Sequence, residues 1–150
     1  NMGKPKFDCM DIPAEGKGEF LEKEVEEYRV SAVNIGVPHA VIFVDDLEIP
    51  VNAIAPKIRY SKVFPKGTNV NFVAAEKKGL RIRTYERGVE GETLSCGTGA
   101  TACAAIAGRL GLVGDDVNVY TKGGVLRILL RDGYAYMEGS VETVFRGILI

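Results

Sequence analysis

The residues in this sequence that are best suited to chemistry stand before a run of small residues. The letters CGTGA occupy positions 96–100 and lead into an alanine-rich segment, so we expect Cys96 to begin a helix. The free N–H groups and the dipole of a helix N-terminus favour negative charge. They should therefore lower the pKa of a thiol held there, and they can also bind a carboxylate. A glycine-rich turn around an inert buried cysteine fits the same letters about equally well.

A charged pair precedes this cysteine. Glu86 and Arg87 lie within YERG at positions 85–88, where a predicted strand ends. The guanidinium of Arg87 is suited to a forked hydrogen bond with a substrate carboxylate. Glu86 is suited to tuning the thiol or holding an ammonium group. An ordinary surface ion pair at the end of a strand explains the two residues equally well.

Three further polar residues stand next to apolar strands. His39 follows Pro38, and a lone histidine in such a place is more often structural than catalytic, although its titration near neutral pH keeps a catalytic role open. Asn69 and Asn71 lie within GTNVN at positions 67–71. These asparagines suit a turn, which is the favoured interpretation, and they also suit hydrogen bonding to an amino acid.

The other cysteines carry no motif. Cys103 follows Cys96 by seven residues in the alanine-rich segment, and we interpret it as a packing residue. Cys9 lies in a polar stretch that we expect to be exposed, and we assign it no role. An odd number of cysteines, without a Cys-x-x-Cys pair and with one histidine, predicts reduced thiols and no metal site.

The elements that must position these residues are mostly strands. Alternating or continuous apolar runs predict them at 28–34, 40–44, 70–75, 80–85, 117–121, 125–130, 134–138 and 142–150. An edge strand is expected near Phe7. Residues 100–107 are apolar on nearly all sides, which predicts a buried helix. Between 51 and 60, any helix should begin near Pro56, because proline interrupts a helix interior.

Composition bounds the class of protein. The chain has 150 residues, 46% hydrophobic and 26% charged, enough for one globular domain with a core. A net charge of −1 gives no reason to expect a nucleic-acid or membrane partner. No apolar run resembles a membrane span or a signal peptide, so we expect a cytoplasmic location. The abrupt start at Asn1 suggests a fragment of a longer protein.

Taken together, these motifs resemble the C-terminal half of the diaminopimelate epimerase family. The resemblance rests on FPKGTNVNF at 64–72, RTYERG at 83–88 and ETLSCGTGA at 92–100, with GVPH at 36–39 and MEGS at 137–140, and it covers essentially the whole chain. It implies that residues 1–150 form the C-terminal catalytic half of a pseudo-symmetric, two-half enzyme. It also implies an α+β fold, in which a curved, mostly antiparallel sheet wraps around a central buried helix.

The resemblance implies an isomerase that interconverts LL- and meso-diaminopimelate, in lysine and cell-wall precursor biosynthesis, without cofactor or metal. Two cysteines, one from each half, flank the α-carbon; one removes the proton and the other delivers one to the opposite face. By motif match Cys96 is one of them, and His39 and Glu86 lie near the thiols as catalytic residues. The remaining implied roles are binding of the α-carboxylate by Gly97 and Thr98, and of the distal amino-acid end by Asn69, Glu86 and Arg87.

Two departures from the family pattern qualify this prediction. The family has asparagine where this chain has Val37, which offers no side-chain hydrogen bond, so substrate identity is open. The N-terminal half with the second cysteine is not in this chain, so the chain alone should be inactive, and residues 141–150 are expected to pair with the missing half. A homodimer is left open. The alternatives are a proline racemase or hydroxyproline epimerase relative, and a non-catalytic amino-acid-binding domain.

Overall fold

The computed structural model describes residues 1–148, which contain nine strands and two helices. The strands are β1 (Lys23–Val25), β2 (Tyr28–Asn34), β3 (Pro38–Phe43), β4 (Asn69–Glu76), β5 (Gly79–Glu86), β6 (Gly91–Thr93), β7 (Asp116–Thr121), β8 (Gly124–Arg131) and β9 (Tyr134–Glu138). The helices are α1 (Val51–Arg59) and α2 (Gly97–Arg109). Seven of the predicted strands and the predicted buried helix are confirmed, with small differences at their ends.

The strands form one open, mostly antiparallel sheet. Its order is β1-β2-β3-β4-β5-β7-β8-β9, and the short β6 pairs with β5. Two neighbouring pairs, β3 with β4 and β5 with β7, run parallel. The β4–β5 hairpin turns at residues 77–78 and enters β5 at Gly79, and the β8–β9 hairpin turns at residues 132–133. Gly79 and Gly133 both have positive φ, and both turns were predicted from the sequence. The α+β fold class is thereby confirmed.

Helix α2 is buried along nearly its whole length. Every residue from 99 to 107 is buried, and the helix packs against strands from β2 across to β9. Its many alanines allow the sheet to approach closely on several sides, because small side chains leave little distance between backbones. The sheet therefore curves around α2, and Ile106 supplies its largest apolar side chain to the core.

A second core lies on the opposite face of the sheet, beneath α1. Val51, Ala55 and Ile58 face this core and are buried. The prediction that the helix begins near Pro56 was wrong, because α1 starts at Val51 and retains Pro56 in its interior. Proline removes one backbone hydrogen bond there, and burial of the apolar face offsets that loss.

The two ends of the chain differ from the predicted strands. Near Phe7 the structure has isolated bridges, Lys6 with Asn34 and Asp8 with Glu19, rather than a strand. The strand predicted for 142–150 is wrong over 142–148, which have no regular secondary structure, and residues 149–150 lie outside the described part. An extended segment needs a neighbouring strand to satisfy its backbone, and none is supplied to this segment within residues 1–148.

Two further observations concern membrane-spanning helices and metal-binding clusters. Neither helix in residues 1–148 is long and apolar enough to cross a membrane. Within the same residues, no group of three or more His, Cys, Asp and Glu side chains is arranged so that it could hold a metal ion.

Candidate active site

A row of buried polar side chains crosses three strands beneath the start of α2. His39 on β3 is aligned with Asn69 on β4, and Asn71 on β4 is aligned with Thr84 on β5. Asn69 and Asn71 share one face because side chains alternate along a strand. All four residues are buried in a sheet that is otherwise largely apolar. Buried polar groups need hydrogen-bond partners, so this row must be satisfied by its surroundings.

Cys96 is the N-cap residue of α2, as predicted. Its backbone is extended (φ −136°, ψ 109°), and its Sγ atom accepts a hydrogen bond from the Gly99 N–H at 3.3 Å. The Thr98 Oγ1 atom lies 3.4 Å from the same sulfur. The N–H groups of Gly97 and Thr98 belong to the first turn, where a helix supplies no backbone acceptor. Within residues 1–148 no side chain accepts from them either.

The helix start lies directly on the polar row because Gly99 lacks a side chain. A Cβ atom at Gly99 would be 2.6 Å from the Asn71 Oδ1 atom, closer than real side chains approach. Glycine therefore permits the distance at which the first turn of α2 meets β3 and β4. The same contact brings Thr98 to His39, whose Nε2 atom is 3.0 Å from Thr98 Oγ1.

His39 is uncharged near neutral pH. Burial lowers its pKa to about 3, and the positive charge of Arg87 adds to this effect. A ring with so low a pKa is a poor proton acceptor at pH 7. Its catalytic role stays a prediction, and the geometry favours a neutral hydrogen-bonding group over a base.

Glu86 ends β5 beside the cysteine, and Arg87 follows it in the chain. Thr93 donates its hydroxyl to Glu86 Oε1, which orients the carboxylate. Arg87 donates from Nη1 to the carbonyl oxygens of Lys66 and Gly67, at 3.0 and 3.3 Å. These contacts leave other guanidinium N–H groups of Arg87 that could meet a ligand.

Asn69 connects this loop to β3. Its Oδ1 atom accepts from the Arg87 N–H at 2.8 Å, and its Nδ2 atom donates to the Pro38 carbonyl at 3.2 Å. Backbone groups therefore engage both ends of the amide. In this structure Asn69 positions Arg87, and direct contact between Asn69 and a substrate stays a prediction.

The prediction of a lowered pKa for Cys96 was wrong. Burial raises the pKa of the Cys96 thiol, and hydrogen bonds from Thr98 and Gly99 only partly oppose that rise. The Glu86 carboxylate raises the pKa of Cys96 further, because like charges repel. Removal of the thiolate from water thus outweighs the hydrogen bonds from Thr98 and Gly99.

The pH dependence of alkylation tests this balance. We expect the reaction of Cys96 with iodoacetamide to follow an apparent pKa above the ordinary cysteine value. Glu86→Gln should lower that pKa by removing a negative charge, and Thr98→Val should raise it by removing a donor. Mass spectrometry of the three cysteine peptides at a series of pH values measures each rate. An unchanged apparent pKa in both variants would show that neither contact acts on the thiolate.

The structure confirms the predicted burial of Cys103 and contradicts the predicted exposure of Cys9. Cys103 is fully buried, as expected, and burial raises its pKa well above the ordinary value. Cys9 is also fully buried, so its predicted exposure was wrong. The polar loop that follows folds back over it, since Cys9 donates its N–H to the Gly18 carbonyl, and Lys23 Nζ lies 3.4 Å from its sulfur.

Residues 39, 69, 86, 87 and 96–98, which are far apart in the sequence, thus lie together at one end of α2. The favoured interpretation of Asn69 and Asn71 as turn residues was wrong, because both lie in β4. Asn71 supports the site from there, as do Thr84 and Thr93, to which the sequence interpretation assigned no role. The available signal was strand alternation, because Asn71 and Thr84 are polar residues at positions of β4 and β5 that the pattern of these strands buries.

Comparison with known proteins identifies relatives of this chain. The sequence profile of the family described as diaminopimelate epimerase matches residues 31–144. A diaminopimelate epimerase of Methanothrix thermoacetophila is 59% identical over 99% of this chain and 53% of the relative. The diaminopimelate epimerase of Archaeoglobus fulgidus is 54% identical over 99% of this chain and 54% of the relative. The chain therefore spans about half the length of the curated relatives it matches.

Solved structures share the fold at lower sequence identity. A phenazine biosynthesis protein of the PhzF family from Enterococcus faecalis aligns with a TM-score of 0.54 at 16% identity, over 89% of this chain and 42% of that chain. A PhzF family protein from Bacillus anthracis aligns with a TM-score of 0.50 at 21% identity, over 67% and 33% respectively. At these identities the likeness concerns the fold alone.

Proposed function

This chain belongs to the diaminopimelate epimerase family, and we propose that it supplies one catalytic half of an enzyme that interconverts LL- and meso-diaminopimelate. One observation carries the proposal. Cys96 caps α2 with its sulfur beside the Thr98 hydroxyl and the Glu86 carboxylate, above a buried polar row. A thiol in this setting can exchange a proton with a ligand bound at the helix start.

The proposed reaction moves one proton off the α-carbon and another onto it. The Cys96 sulfur takes or gives a proton on one face, and a second thiol, from the part of the enzyme outside this chain, acts on the other face. When Cys96 is the base, the C–H bond breaks, its electron pair stays on the α-carbon, and the proton moves to sulfur. The second thiol then donates its proton to the carbanion, which inverts the centre. The chemistry needs only protein acids and bases.

The start of α2 can stabilise the carbanion. The charge that develops at the α-carbon spreads into the α-carboxylate, so donors aimed at this group bind the transition state more strongly than the ground state. The N–H groups of Gly97 and Thr98, with the helix dipole, are suited to that role. Burial of Cys96 keeps the exchange away from water, which strengthens each electrostatic contact.

The far end of the substrate would meet Arg87. Diaminopimelate carries a second amino-acid head, and its carboxylate suits the remaining guanidinium donors. Asn69 and the carbonyls of Lys66 and Gly67 fix the position of Arg87. Glu86 faces the sulfur of Cys96, which favours a role in tuning the thiol over a role at the distal end.

Val37 is the residue that leaves the identity of the substrate open, because it offers no side-chain hydrogen bond. It lies in the turn between β2 and β3, next to Pro38 and His39, and is partly buried. We expect Val37→Asn in the full-length protein to tighten binding of diaminopimelate, because a hydrogen bond typically contributes about 0.5–1.5 kcal/mol. Calorimetric titration measures the change, with Val37→Ala as a control for lost packing. Unchanged or weaker binding by Val37→Asn would point to a repacked pocket or a different ligand.

Solvent hydrogen exchange tests the proposed function itself. The full-length protein is incubated with LL-diaminopimelate in deuterated water, and both α-deuterium and the meso isomer are measured. Proline and hydroxyproline are assayed in parallel, and turnover of either in place of diaminopimelate would identify a racemase of cyclic amino acids. Binding of an amino acid without exchange would identify a non-catalytic binding domain. The proposed setting is a cytoplasmic, cofactor-free step of lysine and cell-wall precursor biosynthesis.

A further inference from the structure

We propose that Asn71 and Thr84 are positioning residues that hold His39 as its Nε2–H tautomer. The consequence is a row of hydrogen bonds that runs in one direction, from the sheet to the sulfur of Cys96. The inference deepens the site described above. The effect of this inference on proton transfer by Cys96 rests on the proposed function. The assignment of the His39 tautomer does not depend on that function.

The orientation of the Asn71 amide follows from its fixed partners. Asn71 Nδ2 lies 2.9 Å from the Ala40 carbonyl oxygen, which can only accept, so this end of the amide must be the NH₂ group. The Thr84 hydroxyl then donates to Asn71 Oδ1 at 3.0 Å. The second hydrogen of Nδ2 points to His39 Nδ1, 3.1 Å away. His39 Nδ1 must therefore accept, and it carries no hydrogen.

A neutral imidazole has one N–H group, so the hydrogen lies on Nε2. From there it is donated to Thr98 Oγ1 at 3.0 Å. The hydroxyl hydrogen of Thr98 is then free to point to the Cys96 sulfur at 3.4 Å. Asn69 Nδ2 lies 3.4 Å from the same ring nitrogen, but both atoms are donors, and the amide instead serves the Pro38 carbonyl.

This direction matters for the thiol. A hydroxyl that donates to sulfur stabilises the thiolate over the neutral thiol. If the ring carried its hydrogen on Nδ1, Nε2 would accept from Thr98, and Cys96 would lose that donor. The charged groups that face this row are Glu86, beside Cys96, and Arg87, beside His39. Burial keeps His39 neutral, so the choice of tautomer is the remaining variable.

Nitrogen NMR of the single histidine tests the proposal directly. The chain contains only His39, so labelling with ¹⁵N-histidine gives one pair of ring signals. At neutral pH we expect a pyrrole-type shift for Nε2 and a pyridine-type shift for Nδ1. The reverse assignment, or averaged shifts from a mixture of tautomers, would overturn the proposal. This measurement uses the unaltered chain and no substrate, so its outcome is separate from that of the proposed function.

Asn71→Asp provides the matched variant, because its carboxylate can only accept a hydrogen bond. We expect the ring hydrogen to move to Nδ1 and the apparent pKa of Cys96 to rise in iodoacetamide alkylation. Thr84→Ser, which keeps the hydroxyl, should leave both readouts unchanged. Since the new charge also acts on Cys96, the rise is compared with that in a Thr98→Val background, where the hydroxyl is absent. An equal rise in the pKa of Cys96 in both backgrounds would contradict the row of hydrogen bonds. If Asn71→Asp does not fold, the nitrogen NMR spectrum of the unaltered chain still decides the tautomer.

Discussion

Cys96→Ser in the full-length protein is expected to lower the rate of conversion of LL- to meso-diaminopimelate by about 10²–10⁴-fold, the usual contribution of a positioned acid or base. The substitution keeps the shape of the N-cap residue and its acceptor for the Gly99 N–H, so helix α2 should remain in place. It replaces the thiol with a hydroxyl, which is not ionised near neutral pH. The loss should appear in kcat more than in KM, because the thiol acts in the transition state.

Inversion, rather than exchange alone, is the decisive readout for this variant. A thiol on the other face could still remove and return a proton on its own side, so deuterium could enter one stereoisomer without inversion. Cys103→Ala is the matched control, since it alters a buried thiol on the same helix outside the proposed chemistry. Near-normal inversion by Cys96→Ser would show that another group performs the proton transfer.

The 150-residue chain by itself is expected to show no measurable inversion of LL-diaminopimelate. Inversion requires proton removal on one face of the α-carbon and delivery on the other. Cys96 can reach one face, whereas Cys9 and Cys103 are fully buried in the two cores. A one-base route would require the carbanion to turn over within the site, which a substrate held at both heads should resist.

The test adds LL-diaminopimelate to the purified chain in deuterated water and measures the meso isomer, with the full-length protein assayed beside it. Circular dichroism and protection of Cys103 from alkylation establish that the chain is folded in the same sample. Recovery of inversion on adding the remaining part of the protein would support the two-half mechanism. Inversion by the chain alone at a rate near that of the full-length protein would exclude it.

Local patterns predicted most of the elements. Strand β2 and strand β9 begin and end where alternation placed them, and the letters CGTGA marked the start of α2 because glycine and a capping residue act within one turn. The start of helix α1 was predicted wrongly. Pro56 removes one hydrogen bond within the helix, and burial of Val51 and Ile58 offsets that loss. The strand predicted for 142–150 is absent over 142–148 for a related reason. A strand needs a neighbouring strand to pair with, and no local sequence pattern supplies one.

The sequence by itself determined which residue types could act: a thiol at a helix start, an adjacent Glu86–Arg87 pair, a histidine after proline and an asparagine beside an apolar strand. Their roles were suggested by family motifs. Only the tertiary structure decided that Cys9 is buried, that Asn71 and Thr84 support His39, and that the pKa of Cys96 rises. Burial, hydrogen-bond direction and the desolvation of a charge depend on residues distant in the sequence, so they follow from how β3, β4 and β5 meet α2.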